Sequence, residues 1–493
     1  MREGSKNKFV ITAGIFYLLP HLKRPFMSPN PFSRKSISIR SLYSLSKLAL
    51  SGTHQDYTMG SIRRAVFLLS IPMILEMCME SVFAVVDIFF VGRINKAAVA
   101  TVGLTESVLT LVYSIAIGLS MAATATVARR IGEKNPEEAA RSAAQAINLT
   151  LALTVLVTLV GSFLAPSILQ LMGASREVVE NGATYTRIMF GGSIVIMLLF
   201  LINGIFRGAG NASIAMWSLW IANGCNIILC PLLIHFYGLK GAAIATTTGR
   251  GIGVCYQLYH LFRGSGIIRI ARKYFIPDKV IIKGILNIAW TGTLQFLIGS
   301  ASWIVMARLI ARFGDAAIAG YQVAIRILLF FILPAWGMSN AAATLVGQNL
   351  GAGHPERAEQ SVRTVARYNA VFMLFVSLFF LVAAGPVVVF MNKDIAVQVI
   401  ALRALHIVSL GYVFFGVGMV LNNAFNGAGD TKTPTIISLF CFWAFQIPVA
   451  YLLADVLGLG PSGVFLAILL AETSITVTSF IIFRKGRWKT VKV

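Results

Sequence analysis

Long apolar segments recur along the chain beyond residue 60, and short polar stretches separate them. A helix needs ~20 residues to cross the ~30 Å hydrocarbon core of a bilayer. Twelve segments reach that length: 62–91, 97–128, 136–165, 179–206, 214–236, 241–262, 280–311, 316–347, 358–384, 396–425, 434–455 and 462–483. The pattern predicts an all-α membrane protein with twelve transmembrane helices.

The two halves of the chain repeat each other. Residues 97–139 align without a gap on residues 316–358, at an offset of 219 residues. The same offset places NGIFRGAGN (203–211) on NNAFNGAGD (422–430). One offset shared by two motifs indicates a duplication. Each half holds an even number of spans, so we expect two six-helix repeats of parallel orientation around a central cavity.

The repeats predict the domain organisation. Residues 59–262 would form an N-lobe with spans 1–6, residues 263–279 a cytoplasmic loop, and residues 280–493 a C-lobe with a basic tail. Residues 1–58 are basic and rich in serine, which predicts a disordered extension or a start codon placed too far upstream. Their composition also weakly resembles a transit peptide. The apolar run at 9–19 is too short to span a bilayer.

Composition and charge place the protein in a membrane. Hydrophobic residues make up 57% of the chain and charged residues 12%, whereas a soluble domain is about a quarter charged. The net charge is +23, and the basic residues gather in the two terminal tails and in alternate loops. This positive-inside distribution predicts a multi-pass plasma-membrane protein with both termini in the cytoplasm. It argues against nucleic acid as the partner.

The first span carries three acids, Glu76, Glu80 and Asp87. A charged side chain at the bilayer centre costs roughly 2.5–3.5 kcal/mol on insertion scales. At 100° per residue the three acids fall within an arc of about 40°, along roughly 16 Å of helix. Since intramembrane acids usually mark ion paths, we predict that they bind a coupling ion, Asp87 foremost. The second half has no acid at the equivalent positions, which are Gln295, Gly299 and Met306.

Several motifs in order resemble the multidrug and toxic compound extrusion (MATE) family. They are IP…VVDIFFVGRIN…AAVATVGL, the twin G-x-x-x-x-P-E-x-A loops, the FRGAGN and FNGAGD turns, and NIILCP. The resemblance covers roughly residues 60–485. It implies a secondary active multidrug exporter that exchanges organic, often cationic compounds for H⁺ or Na⁺ by alternating access. It implies no enzyme activity, no cofactor and no ATPase subunit, and we expect a monomer.

The resemblance also implies cation ligands in the first half. Asp87 matches the family's first-span aspartate, and Asn203, Asn226 and Thr246 match polar ligands of the fourth, fifth and sixth spans. Cys230 stands where the family has a fifth-span aspartate. Because one anionic ligand is missing, Na⁺ at Asp87 and Asn226 is in doubt, and the coupling ion stays open between H⁺ and Na⁺.

Four polar residues are candidates for the substrate cavity: Gln295, Gln322, Glu106 and Arg326. Gln322 matches a polar position common in the family's eighth span, although an interhelical hydrogen bond would explain it equally well. Glu106 and Arg326 occupy neighbouring aligned positions in spans 2 and 8, so they could line the cavity or pair across it.

Two other functions are weighed against export. A flippase for lipid-linked oligosaccharides, from the same superfamily, would want clustered arginines in its cavity, whereas the first helix offers acids. A membrane-embedded acyltransferase would need a nucleophile with a base, or a metal set, near an interface. The six histidines form no such cluster along the sequence.

Overall fold

The computed structural model describes residues 39–493 except 53, 54 and 265. Within these residues every regular element is a helix. Nine helices are long and apolar enough to cross a membrane, and a bent pair makes a tenth. Two more helices, Ile62–Val91 and Leu239–Arg263, have spanning length but carry internal charges. The prediction of twelve membrane helices is confirmed.

The helices of the first repeat follow a short leading helix. They are α1 (Ile39–Leu50), α2 (Ile62–Val91), α3 (Lys96–Gly132), α4 (Pro136–Phe163), α5 (Ala165–Leu171), α6 (Arg176–Gly191), α7 (Ser193–Gly208), α8 (Ala212–Tyr237) and α9 (Leu239–Arg263). A single 3₁₀ turn, Arg272–Phe275, lies in the connection to the second repeat.

The second repeat has the same order of helices. They are α10 (Lys279–Ala311), α11 (Asp315–Gly351), α12 (Pro355–Met391), α13 (Ile395–Ser409), α14 (Tyr412–Ala428), α15 (Lys432–Ser438), α16 (Ile447–Tyr451) and α17 (Pro461–Arg484). Two π-helical segments, Leu439–Gln446 and Leu452–Val456, flank α16 within one membrane helix.

The duplication is visible in the helix boundaries. α3 and α11 have 37 residues each, and α4 and α12 both begin at a proline of the repeated loop. The fourth membrane helix of each repeat, predicted as one span, is broken in two near equivalent glycines, Gly192 and Gly411. Glycine's poor helix propensity favours the break there. The predicted two-repeat fold is confirmed.

Residues 1–38 of the predicted N-terminal extension lie outside the described residues, and the end of the extension makes defined contacts. Arg357 donates hydrogen bonds to the carbonyl oxygens of Tyr57, Met59 and Gly60, at 3.2, 2.8 and 2.9 Å. Lys134 Nζ lies 2.6 Å from Asp56 Oδ2. Partial burial opposes ionisation of Asp56, but the hydrogen bonds from Lys134 and Thr58 prevail and lower its pKa to about 2. These contacts tie residues 56–60 to both repeats.

The two repeats meet at one end of the bundle. This basic end carries the turns at 133–135 and 352–354 and the C-terminal residues 485–493. Gln348 Nε2 donates to the Gly208 carbonyl oxygen at 2.9 Å, and Arg129 donates to the Ala428 carbonyl oxygen at 3.3 Å. Residues 341–350 are wholly buried there, whereas towards the opposite end α3 and α11 expose polar side chains. The repeats are therefore closed at the basic end.

Candidate functional site

The three acids of α2 point into the first repeat, where α2 packs against α8. Glu76 is 1% exposed and Asp87 7% exposed. Their polar neighbours come from α7, α8 and α9, the helices that carry the other predicted cation ligands. The acids nevertheless differ in their partners.

Glu76 ends a network of buried hydrogen bonds. Asn203 Nδ2 donates to its Oε1 at 3.0 Å, and a nitrogen of Arg207 lies 3.7 Å from the same oxygen. Asn203 Oδ1 in turn accepts from Gln257 Nε2 at 2.6 Å and from Ser218 Oγ at 3.0 Å. The Glu76 carboxylate is thus fixed by an amide and balanced by an arginine.

Glu80 forms a second acid–arginine pair. Asn223 Nδ2 donates to its Oε2 at 3.1 Å, and a nitrogen of Arg250 lies 3.6 Å from its Oε1. Arg250 is 4% exposed and also donates to the Tyr113 hydroxyl at 3.0 Å. A guanidinium taken out of water needs such partners, because an unpaired buried charge costs several kcal/mol.

Asp87 differs because no hydrogen bond or ion pair among the described residues reaches its carboxylate, and its Oδ1 is buried. Glu76 Oε2 also lacks a partner, but Glu76 Oε1 is held by Asn203 and Arg207. On α8 and α9, Asn226 Nδ2 donates to Thr246 Oγ1 at 2.9 Å, and Asn226 Oδ1 has no hydrogen-bond partner among the described residues. The charge of Arg250 acts on both Asp87 and Glu106, so these groups share one electrostatic environment. The three predicted ion-coupling acids are therefore not equivalent.

The donor set does not fit Na⁺ well. The hard cations prefer oxygen ligands, and Cys230 offers a buried thiol where the family has a carboxylate. A permanent positive charge, Arg250, lies in the same cluster.

Sequence reasoning missed five polar side chains of this cluster: Arg207, Arg250, Asn223, Gln257 and Tyr113. The two arginines could have been found, since an ionisable residue within a membrane span is a functional candidate by default. Their pairing with particular acids follows from helix packing and has no local sequence signal.

The predicted cavity residues lie apart from the acid cluster's hydrogen bonds. Glu106, Gln322 and Arg326 are exposed on α3 and α11. The described residues form no ion pair between Glu106 and Arg326, so the pairing suggested by the alignment is not seen. The buried Oε1 of Gln295 has no hydrogen-bond partner among the described residues, and the next residue, Phe296, stacks on Trp336 at 6.2 Å between ring centroids.

Comparison with known proteins identifies the family to which the chain is similar. A family profile described as MatE matches residues 72–232 and 293–452, one match in each repeat. The "Probable multidrug resistance protein NorM" of Thermotoga maritima is 25% identical over 87% of this chain and 93% of its own length. The "Multidrug export protein MepA" of Staphylococcus aureus is 22% identical over 85% of this chain and 93% of its own.

Solved structures have the same fold. The crystal structure of a MATE in complex with MaL6 has a TM-score of 0.83 and 27% identity, over 87% of this chain and 97% of the other. A structure described as the outward-facing conformation of a multidrug resistance MATE family transporter has a TM-score of 0.83 and 26% identity, over 87% and 96%. The predicted resemblance to the MATE family is confirmed.

Proposed function

Because the chain belongs to the MATE family of efflux transporters and is not an enzyme, we propose that it exports organic cations in exchange for protons. One observation carries the choice of proton site. Among the described residues no hydrogen bond or ion pair reaches the buried Asp87 carboxylate, whereas Glu76 and Glu80 each have an amide and an arginine. Of the three acids of α2, Asp87 is the one whose charge is least compensated.

Coupling of export to proton entry follows because the proton and the cationic substrate compete for the negative charge of Asp87. A proton on its carboxylate converts Asp87 into a neutral group. Ionised Asp87 adds a negative charge that attracts a cationic substrate, and protonated Asp87 removes that attraction. Because the proton and the cation exclude each other, downhill entry of one drives export of the other.

Alternating access would give the proton and the substrate a path across the membrane. The positive-inside rule assigns the basic end to the cytoplasm of a plasma-membrane protein. The described conformation, closed at that end, is then outward-facing, and one of the similar solved structures is described as outward-facing. Asp87 lies about one turn from the outer end of α2, within reach of external protons. Rocking of the repeats would convert the outward-facing state into the inward-facing state and carry the proton inward, and binding of the proton would shift the populations of these two states.

The preference for cations is supported by side chains of α3, α10 and α11. Glu106 is exposed on α3, and Phe296 and Trp336 offer stacked ring faces on α10 and α11. Aromatic faces attract organic cations by 0.5–2 kcal/mol or so. Exposed Arg326 on α11 is the observation that favours the second candidate, a flippase for an anionic lipid-linked sugar.

The test is transport of a fluorescent organic cation into inverted vesicles under an imposed pH or Na⁺ gradient. We expect the pH gradient to drive uptake and the Na⁺ gradient not to. Asp87→Asn should reduce pH-driven uptake to background while folding persists. The exposed acid Glu177, replaced by glutamine, is the matched control and should transport normally.

Full activity of folded Asp87→Asn would overturn the assignment of the proton site. Drive by Na⁺ alone would overturn the assignment of the ion. Transport of an anionic lipid-linked sugar, without uptake of the cation, would favour the flippase.

A further inference from the structure

Arg250 lies among the residues that the family resemblance assigns to cation binding. It follows Thr246 by four residues, so the two share one face of α9, one turn apart. Thr246 accepts the hydrogen bond of Asn226, and Asn223, one turn before Asn226 on α8, donates to Glu80. Glu80 closes the loop, because its Oε1 lies 3.6 Å from Arg250.

Packing holds this arrangement tightly. Gly249, next to Arg250, lies so close to α8 that a Cβ there would be 2.6 Å from the Ala222 carbonyl oxygen and 3.2 Å from Asn226 Cβ. Arg250 is 4% exposed, donates to the Tyr113 hydroxyl, and lies beside the Phe83 ring at 5.6 Å. These contacts therefore fix the position of the Arg250 guanidinium within the cluster.

The charge at this point is permanent. An arginine is never deprotonated in proteins, so Arg250 brings one positive charge to the cluster at every physiological pH. The charged groups that face it are Glu80 and Asp87 of α2 and Glu106 of α3, and the hydroxyl of Tyr113 completes its surroundings. A metal cation entering beside Asp87 would meet this charge, whereas a proton on Asp87 forms a neutral group.

We propose that Arg250 is a tethered cation that takes the place of Na⁺ beside Asp87, Asn226 and Thr246 and so makes coupling selective for protons. This inference rests on the proposed function at Asp87. It assigns Arg250 to ion selectivity, which neither the fold nor the family resemblance requires. Removal of the charge should leave the oxygens of Asp87, Asn226 and Thr246 free to hold Na⁺.

The experiment measures binding of radiolabelled sodium to the purified protein, with choline as the competing control salt. We expect no saturable sodium binding by the wild type and saturable binding by Arg250→Gln. Adding Asp87→Asn to that variant should abolish the gain. Arg250→Lys keeps the charge and should stay without sodium binding, which a merely structural role of the arginine would not predict.

Arg207→Gln is the matched control, since it removes the other arginine that pairs with an acid of α2, the partner of Glu76, and should gain no sodium binding. Should Arg250→Gln fail to fold, the double variant Glu80→Gln, Arg250→Gln removes the ion pair as a unit and is expected to bind sodium through Asp87.

A folded Arg250→Gln variant without sodium binding overturns the inference, and so does an Arg250→Lys variant that binds sodium. Either result leaves the proposed function standing if the wild type is still driven by pH. A wild type that binds sodium and is driven by a Na⁺ gradient overturns the proposed function and the inference together.

Discussion

Replacing Gly118 with alanine should open the transporter at its basic end. Gly118 lies on α3 where the two repeats meet, and an ideal Cβ there would be 2.5 Å from the Ala289 carbonyl oxygen and 2.6 Å from the Thr293 amide nitrogen. These are backbone atoms of α10, which cannot rotate away. The equivalent glycine of the second repeat, Gly337, faces the Met73 carbonyl oxygen of α2 in the same manner.

The size of the effect follows from this geometry. Ordinary contact with a Cβ begins at 3.4 Å, so a Cβ that would lie at 2.5 Å requires α3 and α10 to separate by about 0.9 Å. Overpacking of this kind typically costs about 1–3 kcal/mol. The strain exists only while the repeats are closed at the basic end. The same free energy therefore shifts the conformational equilibrium about 5–150-fold towards the state open at that end.

The assay is a distance measurement between spin labels at positions 137 and 356, which are equivalent residues of the two repeats at the basic end. The five native cysteines are first replaced by alanine. Gly118→Ala should add a longer-distance population. Gly103→Ala is the control, because a Cβ at this position of the same helix meets nothing within 4 Å. An unchanged distance distribution in folded Gly118→Ala would refute the claim that this contact holds the repeats closed.

Two further predictions concern the chain segments at the basic end. Trp488 is 1% exposed and stacks on Phe483 at 4.7 Å between ring centroids. Trp488→Ala should therefore lower the free energy of unfolding by about 3–5 kcal/mol in denaturant titrations. The control is Trp290→Ala, which should have little effect because Trp290 is 61% exposed. Asp56→Asn should cost only about 0.2–1 kcal/mol, because the pair with Lys134 is largely exposed. The lowered pKa of Asp56 means that its contribution is complete above the ordinary value of 3.8 and is lost as the pH falls through about 2. The cost measured by thermal unfolding should therefore be constant across neutral pH, and a cost that varies there would contradict the assignment of the ion pair.

Much of the fold could be predicted because its signals are local. Apolar length identified each membrane helix, and the loop prolines Pro136 and Pro355 fixed the register of the repeat to the residue. The breaks at Gly192 and Gly411 were not predicted, since a glycine within a long apolar span is compatible with either a continuous or a broken helix. Closure at the basic end depends on packing between the repeats, which hydropathy does not record.

The site was only partly predictable. Helical periodicity placed Glu76, Glu80 and Asp87 on one face, and the structure brings that face against α7, α8 and α9. Which acid is compensated depends on Arg207 and Arg250, which are more than 100 residues away in the chain. Periodicity within one helix carries no information about such partners, so it could not separate Asp87 from the two glutamates.

The most direct test of the central claim is the proton movement that accompanies export. A pH-sensitive dye on one side of proteoliposomes would report proton flux when an organic cation gradient is imposed, without any pH or Na⁺ gradient. The account predicts that an outward cation gradient draws protons inward through the wild type and that Asp87→Asn abolishes this flux. Cation-driven proton flux of normal size in folded Asp87→Asn would contradict the account.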